Sequence, residues 1–187
     1  MNKILFKQCQ EHLKMMNKGI IRQLIGYVAF ILLQVLVFKN IALFDVSFCF
    51  VYVAILLLLP VETDRILTMI IAFITGLLID VFYNSLGIHA SAMVLIAFIR
   101  NYWLSVITPQ GGFDGNISPS AINMGGQWFS TYAIPLIFVH HLTMFFTEAG
   151  GFHLFGFTFL KVLSSTFFTF IVVVIVQFLL TKKKRQI

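Results

Sequence analysis

Five stretches of this chain, residues 20–38, 66–83, 86–107, 128–147 and 159–180, are almost wholly apolar. Each carries at most one Asp, Glu, Lys or Arg. About 20 such residues, rising about 1.5 Å each, cross the hydrocarbon core of a bilayer as a helix. Composition closes the alternative of a soluble fold. The chain of 187 residues is 59% hydrophobic and 11% charged, whereas soluble domains carry about 25% charged residues. Folding in water leaves much of a small domain's surface exposed, so an apolar excess of this size needs lipid as its solvent. The expected fold is an all-α integral membrane protein, with one polytopic membrane domain over residues 20–180.

A sixth stretch, ending at Pro60, is less plain. Its dense part, residues 48–59, is too short to span, but extension to Ala42 reaches spanning length at the expense of including Asp45. It reads as a helix with a polar outer end, with a re-entrant segment as the alternative. Charge then sets the parity. With six spans and both termini inside, eleven of the thirteen Lys and Arg residues are cytoplasmic, leaving Lys39 and Lys161 outside. Basic residues retained in the cytoplasm orient membrane proteins. Five spans would place one basic terminus outside, so six is the expected number.

The ends of the chain have their own pattern. In residues 1–19, Leu5, Phe6, Cys9, Leu13 and Met16 share one helical face, and Lys3, Lys7, Lys14 and Lys18 lie opposite. That is the design of an interfacial helix on anionic lipid; a shorter protein starting at Met15 or Met16 is the alternative. Residues 181–187 form a basic cytoplasmic tail. The net charge of +6 is concentrated at these ends beside apolar runs, which argues for a membrane surface and against nucleic acid. Cys9 and Cys49 fall in a tail and a membrane segment, so no disulfide is expected, and no cleavable signal peptide is expected either. The long connection 101–127, which takes in the end of the fourth run, is rich in Gly and Pro and reads as a cytoplasmic loop.

Charged and polar groups at bilayer depth cost free energy and ask for a reason. Asp80, His89, His140, His141 and Glu148 all fall toward the outer side and are expected to gather there. They suit a proton relay or a metal site, but no metal-ligand spacing is present, and buried hydrogen bonding between helices explains them more simply. Arg100 lies about 15 Å deeper than Asp80 by helical rise. It is expected to snorkel to the cytoplasmic interface beside Tyr102 and Trp103, without an ion pair to Asp80. Gln34, Ser164, Ser165 and Thr166 suit interhelical contact, Thr75 and Gly76 a close approach of backbones, and Pro135 a kink.

No GxSxG, GxxxxGK[ST] or GxGxxG signature is present, so no catalytic residue, cofactor or metal ligand is assigned. The order of segments nevertheless has a counterpart. LLQVLVFKNIALF (32–44), ILLLLPVETDR (55–65), GLLIDVFYNSLGIHASAMVLIAFIR (76–100), TPQGGFD (108–114), GGQWFSTY (125–132) and IFVHHLTMFF (137–146) together resemble the rod shape-determining protein MreD family in its Bacteroidetes-like version. The resemblance covers about residues 20–180. It implies a non-enzymatic subunit of the bacterial cell-elongation machinery in the cytoplasmic membrane. Such a subunit binds the bitopic protein MreC and, through it, the MreB cytoskeleton and peptidoglycan synthases.

The family is also similar in fold to the substrate-binding membrane subunits of energy-coupling-factor transporters. That keeps open a small-molecule transporter or binding subunit, with a closed pocket lined by Asp80 and His89. A membrane enzyme is the third class. Candidate partner-contact or packing residues, taken from the resembling segments and span ends, are Asn40, Phe44, Asp80, Gly87, His89 and Arg100.

Overall fold

A computed structural model describes residues 23–108, 112 and 117–180. The segment 1–19, read above as an interfacial helix, and the tail 181–187 lie outside the described residues. Helix α1 covers residues 23–36 and tightens into a 3-10 turn at Phe38–Asn40. A two-stranded hairpin follows, β1 (Ala42–Leu43) and β2 (Ser47–Phe48), and then the short helix α2 (Val53–Leu57). The remaining helices are α3 (Arg65–Tyr83), α4 (Ile88–Ile107), α5 (Ala121–Met124), α6 (Gly126–Glu148) and α7 (Phe155–Leu180).

Five helices among the described residues, α1 with its 3-10 turn, α3, α4, α6 and α7, are long and apolar enough to cross a membrane. The protein is a multi-pass membrane protein. Its helices are built for lipid. The inward face of α3 is small or polar apart from Ile79, with Thr68, Ala72, Thr75, Gly76 and Asp80 buried beside it. Its large side chains, Ile66, Ile70, Phe73, Ile74, Leu77 and Val81, are exposed. Small residues inside let backbones approach, and large apolar ones outside meet acyl chains.

Local chemistry marks the helix ends. The Asp64 carboxyl accepts from Ile66 N at 2.9 Å and Leu67 N at 3.1 Å, starting α3. Asn84 in the left-handed region (φ 56°) and Gly87 (φ 83°) form the tight turn into α4. Here that extremity of the bundle is termed the turn end, and the opposite one, where α4 leads toward α5 and α6, the loop end. Pro135 sits inside α6 and leaves the Thr131 carbonyl without its helical donor. Trp103 Nε1 donates to that carbonyl at 3.2 Å, so α4 makes good the bond α6 lacks.

The largest departure from the expected architecture is in residues 42–59, which do not form a sixth spanning helix. Lys39 Nζ donates to the Phe82 carbonyl at 2.6 Å and Gln34 Nε2 donates to Tyr83 Oη at 2.7 Å. The C-terminal ends of α1 and α3 therefore meet, and the two helices run the same way. The chain between them must return from the turn end to the loop end. It does so through the centre of the bundle as an interrupted segment, made of the hairpin, an irregular stretch and the short helix α2. Phe48 N lies on Ser165 Oγ and Phe50 N on Thr169 Oγ1 near the turn end, and Val61 N reaches the Ile117 carbonyl at the loop end. The re-entrant alternative fails too, because beyond the hairpin the segment runs on to the loop end and does not return to the end it left.

The physical reason is that this run is the core rather than a lipid-facing element. Every residue from Cys49 to Leu57 is at most 5% exposed. Non-helical backbone at membrane depth is tolerated where protein satisfies it, and here side chains from four helices do so. Besides the serine and threonine of α7, Gln34 of α1 donates to the Cys49 carbonyl at 3.0 Å and accepts from Tyr52 N at 3.4 Å. Tyr132 of α6 donates to the Leu57 carbonyl at 3.0 Å, and Arg100 of α4 to the Leu59 carbonyl at 2.6 Å. The expected loop 101–127 is also shorter than read, because α4 continues to Ile107 and α5 occupies Ala121–Met124.

Candidate functional site

Two of the polar groups that the sequence places at the outer side, His89 and His140, converge on Tyr52, in the middle of the irregular segment. Tyr52 is fully buried, and its hydroxyl lies 2.9 Å from His89 Nδ1 and 2.8 Å from His140 Nε2. One hydroxyl carries one proton, so Tyr52 donates to one imidazole and accepts from the other. The hydrogen-bond network assigns which. His140 Nδ1 is buried without a partner among the described residues, and a buried N–H without an acceptor is rarer than a bare lone pair. The proton of His140 therefore belongs on Nε2, which donates to Tyr52. Tyr52 donates to His89 Nδ1, and the remaining proton of His89 sits on Nε2, which unlike His140 Nδ1 is not among the enclosed atoms left without a partner.

His141 points to another face, as its adjacency to His140 requires. Its Nδ1 donates to the Ile137 carbonyl at 2.7 Å, and Nε2 lies 3.2 Å from Thr169 Oγ1. Thr169 is the same hydroxyl that accepts from Phe50 N, so this histidine supports the irregular segment indirectly.

Asp80 stands behind His89. Its Oδ1 accepts from Ser85 Oγ at 2.6 Å and His89 N at 3.0 Å, and Oδ2 accepts from Ala90 N at 2.9 Å. The two amides belong to the first turn of α4, whose N–H groups have no helical acceptor. Gly76, one turn earlier on α3, permits the approach. A Cβ there would contact Ala90 Cα and come within 2.7 Å of Ala90 N and 2.8 Å of the His89 carbonyl.

Of the six candidate residues, Asp80, Gly87 and His89 come together at the α3–α4 turn. Asn40 and Phe44 lie at the same end but outside the cluster, Asn40 closing the 3-10 turn and Phe44 at the hairpin tip, 94% exposed. Arg100 corrects the expectation of a snorkelling anchor. It is fully buried, with Nε donating to Tyr132 Oη at 2.8 Å and Nη2 to the Leu59 carbonyl at 2.6 Å. Interior carbonyls of the irregular segment hold it in place of interfacial water. The interface position falls to Arg65, whose guanidinium carbon lies 4.8 Å from the Tyr102 ring centroid.

Tyr52 and Tyr132, the two hydroxyls that organise these clusters, were not among the candidates. Their signal was a tyrosine inside an apolar run, which alone does not distinguish an interfacial residue from a buried one. Among the described residues no three His, Cys, Asp or Glu side chains gather as a metal-ligand set would. No family model matches the chain, and no curated protein or solved structure matches it significantly.

Proposed function

We propose that this protein is a non-enzymatic membrane subunit of the bacterial cell-elongation machinery, of the MreD type. It lies in the cytoplasmic membrane with both termini inside, docks an MreC-like bitopic protein, and through it meets an MreB-like cytoskeleton and peptidoglycan synthases. Its basic ends rest on anionic lipid. The observation that carries this reading is what the resembling segments do at the turn end. Segment 32–44 ends in Phe44 and segment 76–100 contains Leu86, and both side chains project almost completely from the fold.

Of the thirteen basic residues only Lys39 and Lys161 are assigned to the turn end, and this asymmetry supports reading that end as the periplasmic one. Apolar side chains aimed outward from both connections suit a partner that leaves the membrane beside them. A bundle of this kind acts by holding partners in register.

The test is purification of the tagged protein from its own cells in mild detergent, with mass spectrometry of what accompanies it. A bitopic shape protein with cell-wall synthases supports the reading. ATPase subunits without shape proteins overturn it in favour of a transport component.

A further inference from the structure

A cavity of about 230 Å³ opens at the turn end, between the ends of α1, α3, α6 and α7. By proportion to an engineered cavity of about 150 Å³ that holds benzene, it accommodates roughly nine or ten non-hydrogen atoms. Its wall is aromatic, formed by Phe48, Phe50, Tyr83 and Phe145. Lys39 from the end of α1, Lys161 from α7 and Glu148 from the end of α6 also line it.

Neither ammonium is spent on a carboxylate. Lys39 Nζ uses one hydrogen on the Phe82 carbonyl and lies 5.6 Å from the Tyr83 ring centroid. Lys161 Nζ rests 5.5 Å from the Phe48 ring and 5.0 Å from the Phe157 ring. Among the described residues no ion pair joins either lysine to Glu148. These are also the two basic residues that the charge rule leaves outside.

His89 supplies the second, independent observation. It lines the same cavity and is 4% exposed. Its Nδ1 is held by Tyr52, and Nε2 has no partner among the described residues. By the tautomer derived above, Nε2 presents a proton. Three donors, two ammoniums and one imidazole N–H, therefore share a small aromatic chamber with one carboxylate. Asp80, expected to line such a pocket, does not; it is occupied behind His89 in holding α4.

We propose that this chamber is a binding site for a small organic anion, with an apolar or aromatic body on the phenylalanine wall. Its carboxylate or phosphate lies between Lys39 and Lys161, within reach of His89. The same chemistry comes from two sources, a free solute or an anionic lipid headgroup. The site stands independently of the scaffold reading and would serve there as an effector site.

The protein in phosphatidylcholine nanodiscs is titrated against para-fluorobenzoate by fluorine NMR, with para-fluorobenzyl alcohol as the neutral counterpart. The expected result is saturable broadening of the acid, weaker for the alcohol. Lys39→Gln/Lys161→Gln is expected to weaken it about tenfold, and Glu148→Gln, which removes the competing charge, to tighten it severalfold. A gain of affinity cannot arise from misfolding. Displacement by phosphatidylglycerol in the disc assigns the site to headgroup phosphate; undiminished binding assigns it to a solute. Absence of saturable binding, equal response to acid and alcohol, or no change in the lysine variant would overturn the proposal.

Discussion

The Asp80 carboxyl caps a helix that is not its own: Oδ2 of this α3 residue lies 2.9 Å from the amide nitrogen of Ala90, in the first turn of α4. An N-cap is usually the residue next to the helix. Here Asn84 and Gly87 fill the turn in left-handed conformations, and Gly87 has no side chain to cap with. Asp80 takes the role from one turn before the end of α3.

Removing this cap should be costly because both amides are buried. Asp80→Ala is expected to lower stability by about 2–3 kcal/mol, and Asp80→Asn, which retains one acceptor, by about half that. Reversible unfolding in mixed micelles, followed by fluorescence, measures both. Equal and negligible losses would show that water reaches the α4 terminus.

Gly76→Ala tests the close approach that the cap requires. The added methyl meets backbone rather than a flexible side chain, so α3 and α4 must part, at about 1–3 kcal/mol. Gly26→Ala, where nothing lies within 4 Å, is the matched control and should be neutral or stabilising.

Tyr52→Phe leaves His89 Nδ1 and His140 Nε2 without their shared partner, and should destabilise by about 1–3 kcal/mol. Adding His140→Leu removes one orphaned group and should recover part of the loss. A double variant worse than the sum of its parts would contradict the assigned network.

Arg100 separates two accounts by the order of its variants. An interfacial anchor would accept Arg100→Lys with little change. A buried guanidinium that bridges Tyr132 and the Leu59 carbonyl loses its fork geometry in Lys while the cation stays buried, whereas Arg100→Met removes the charge. Thermal unfolding is expected to rank wild type above Met, and Met above Lys, with Lys down by about 3 kcal/mol.

Phe44 and Leu86 carry the partner reading. Phe44 adopts φ 54° and Asp45 φ 56°, a conformation that Asn tolerates better than Phe. Phe44→Asn/Leu86→Ser should therefore keep or raise stability while abolishing co-purification of the bitopic partner. Retained co-purification would move the docking surface elsewhere.

The membrane class, the five long helices and the polar cluster near the α3–α4 turn were legible because each is written locally, in run length, hydropathy and depth. The fate of residues 42–59 was not. An apolar run reads the same whether lipid or protein surrounds it, and only the placement of Gln34, Arg100, Tyr132, Ser165 and Thr169 around the segment tells the two apart. Four of these five are distant from it in sequence, and each is unremarkable alone. Arg100 was misplaced for the same reason. Depth along a helix can be counted from sequence, but the direction a side chain faces depends on which neighbours pack there.

The sequence by itself determined that this chain lives in a bilayer and in which order its spans run, since transfer free energy is summed residue by residue along the chain. Only the tertiary structure decided that the second crossing is an interrupted, partly irregular segment at the core, and that Tyr52 joins His89 to His140. Inside a membrane a non-helical backbone survives only if other helices bring donors and acceptors to it. That is a property of the assembled bundle, which no single segment carries.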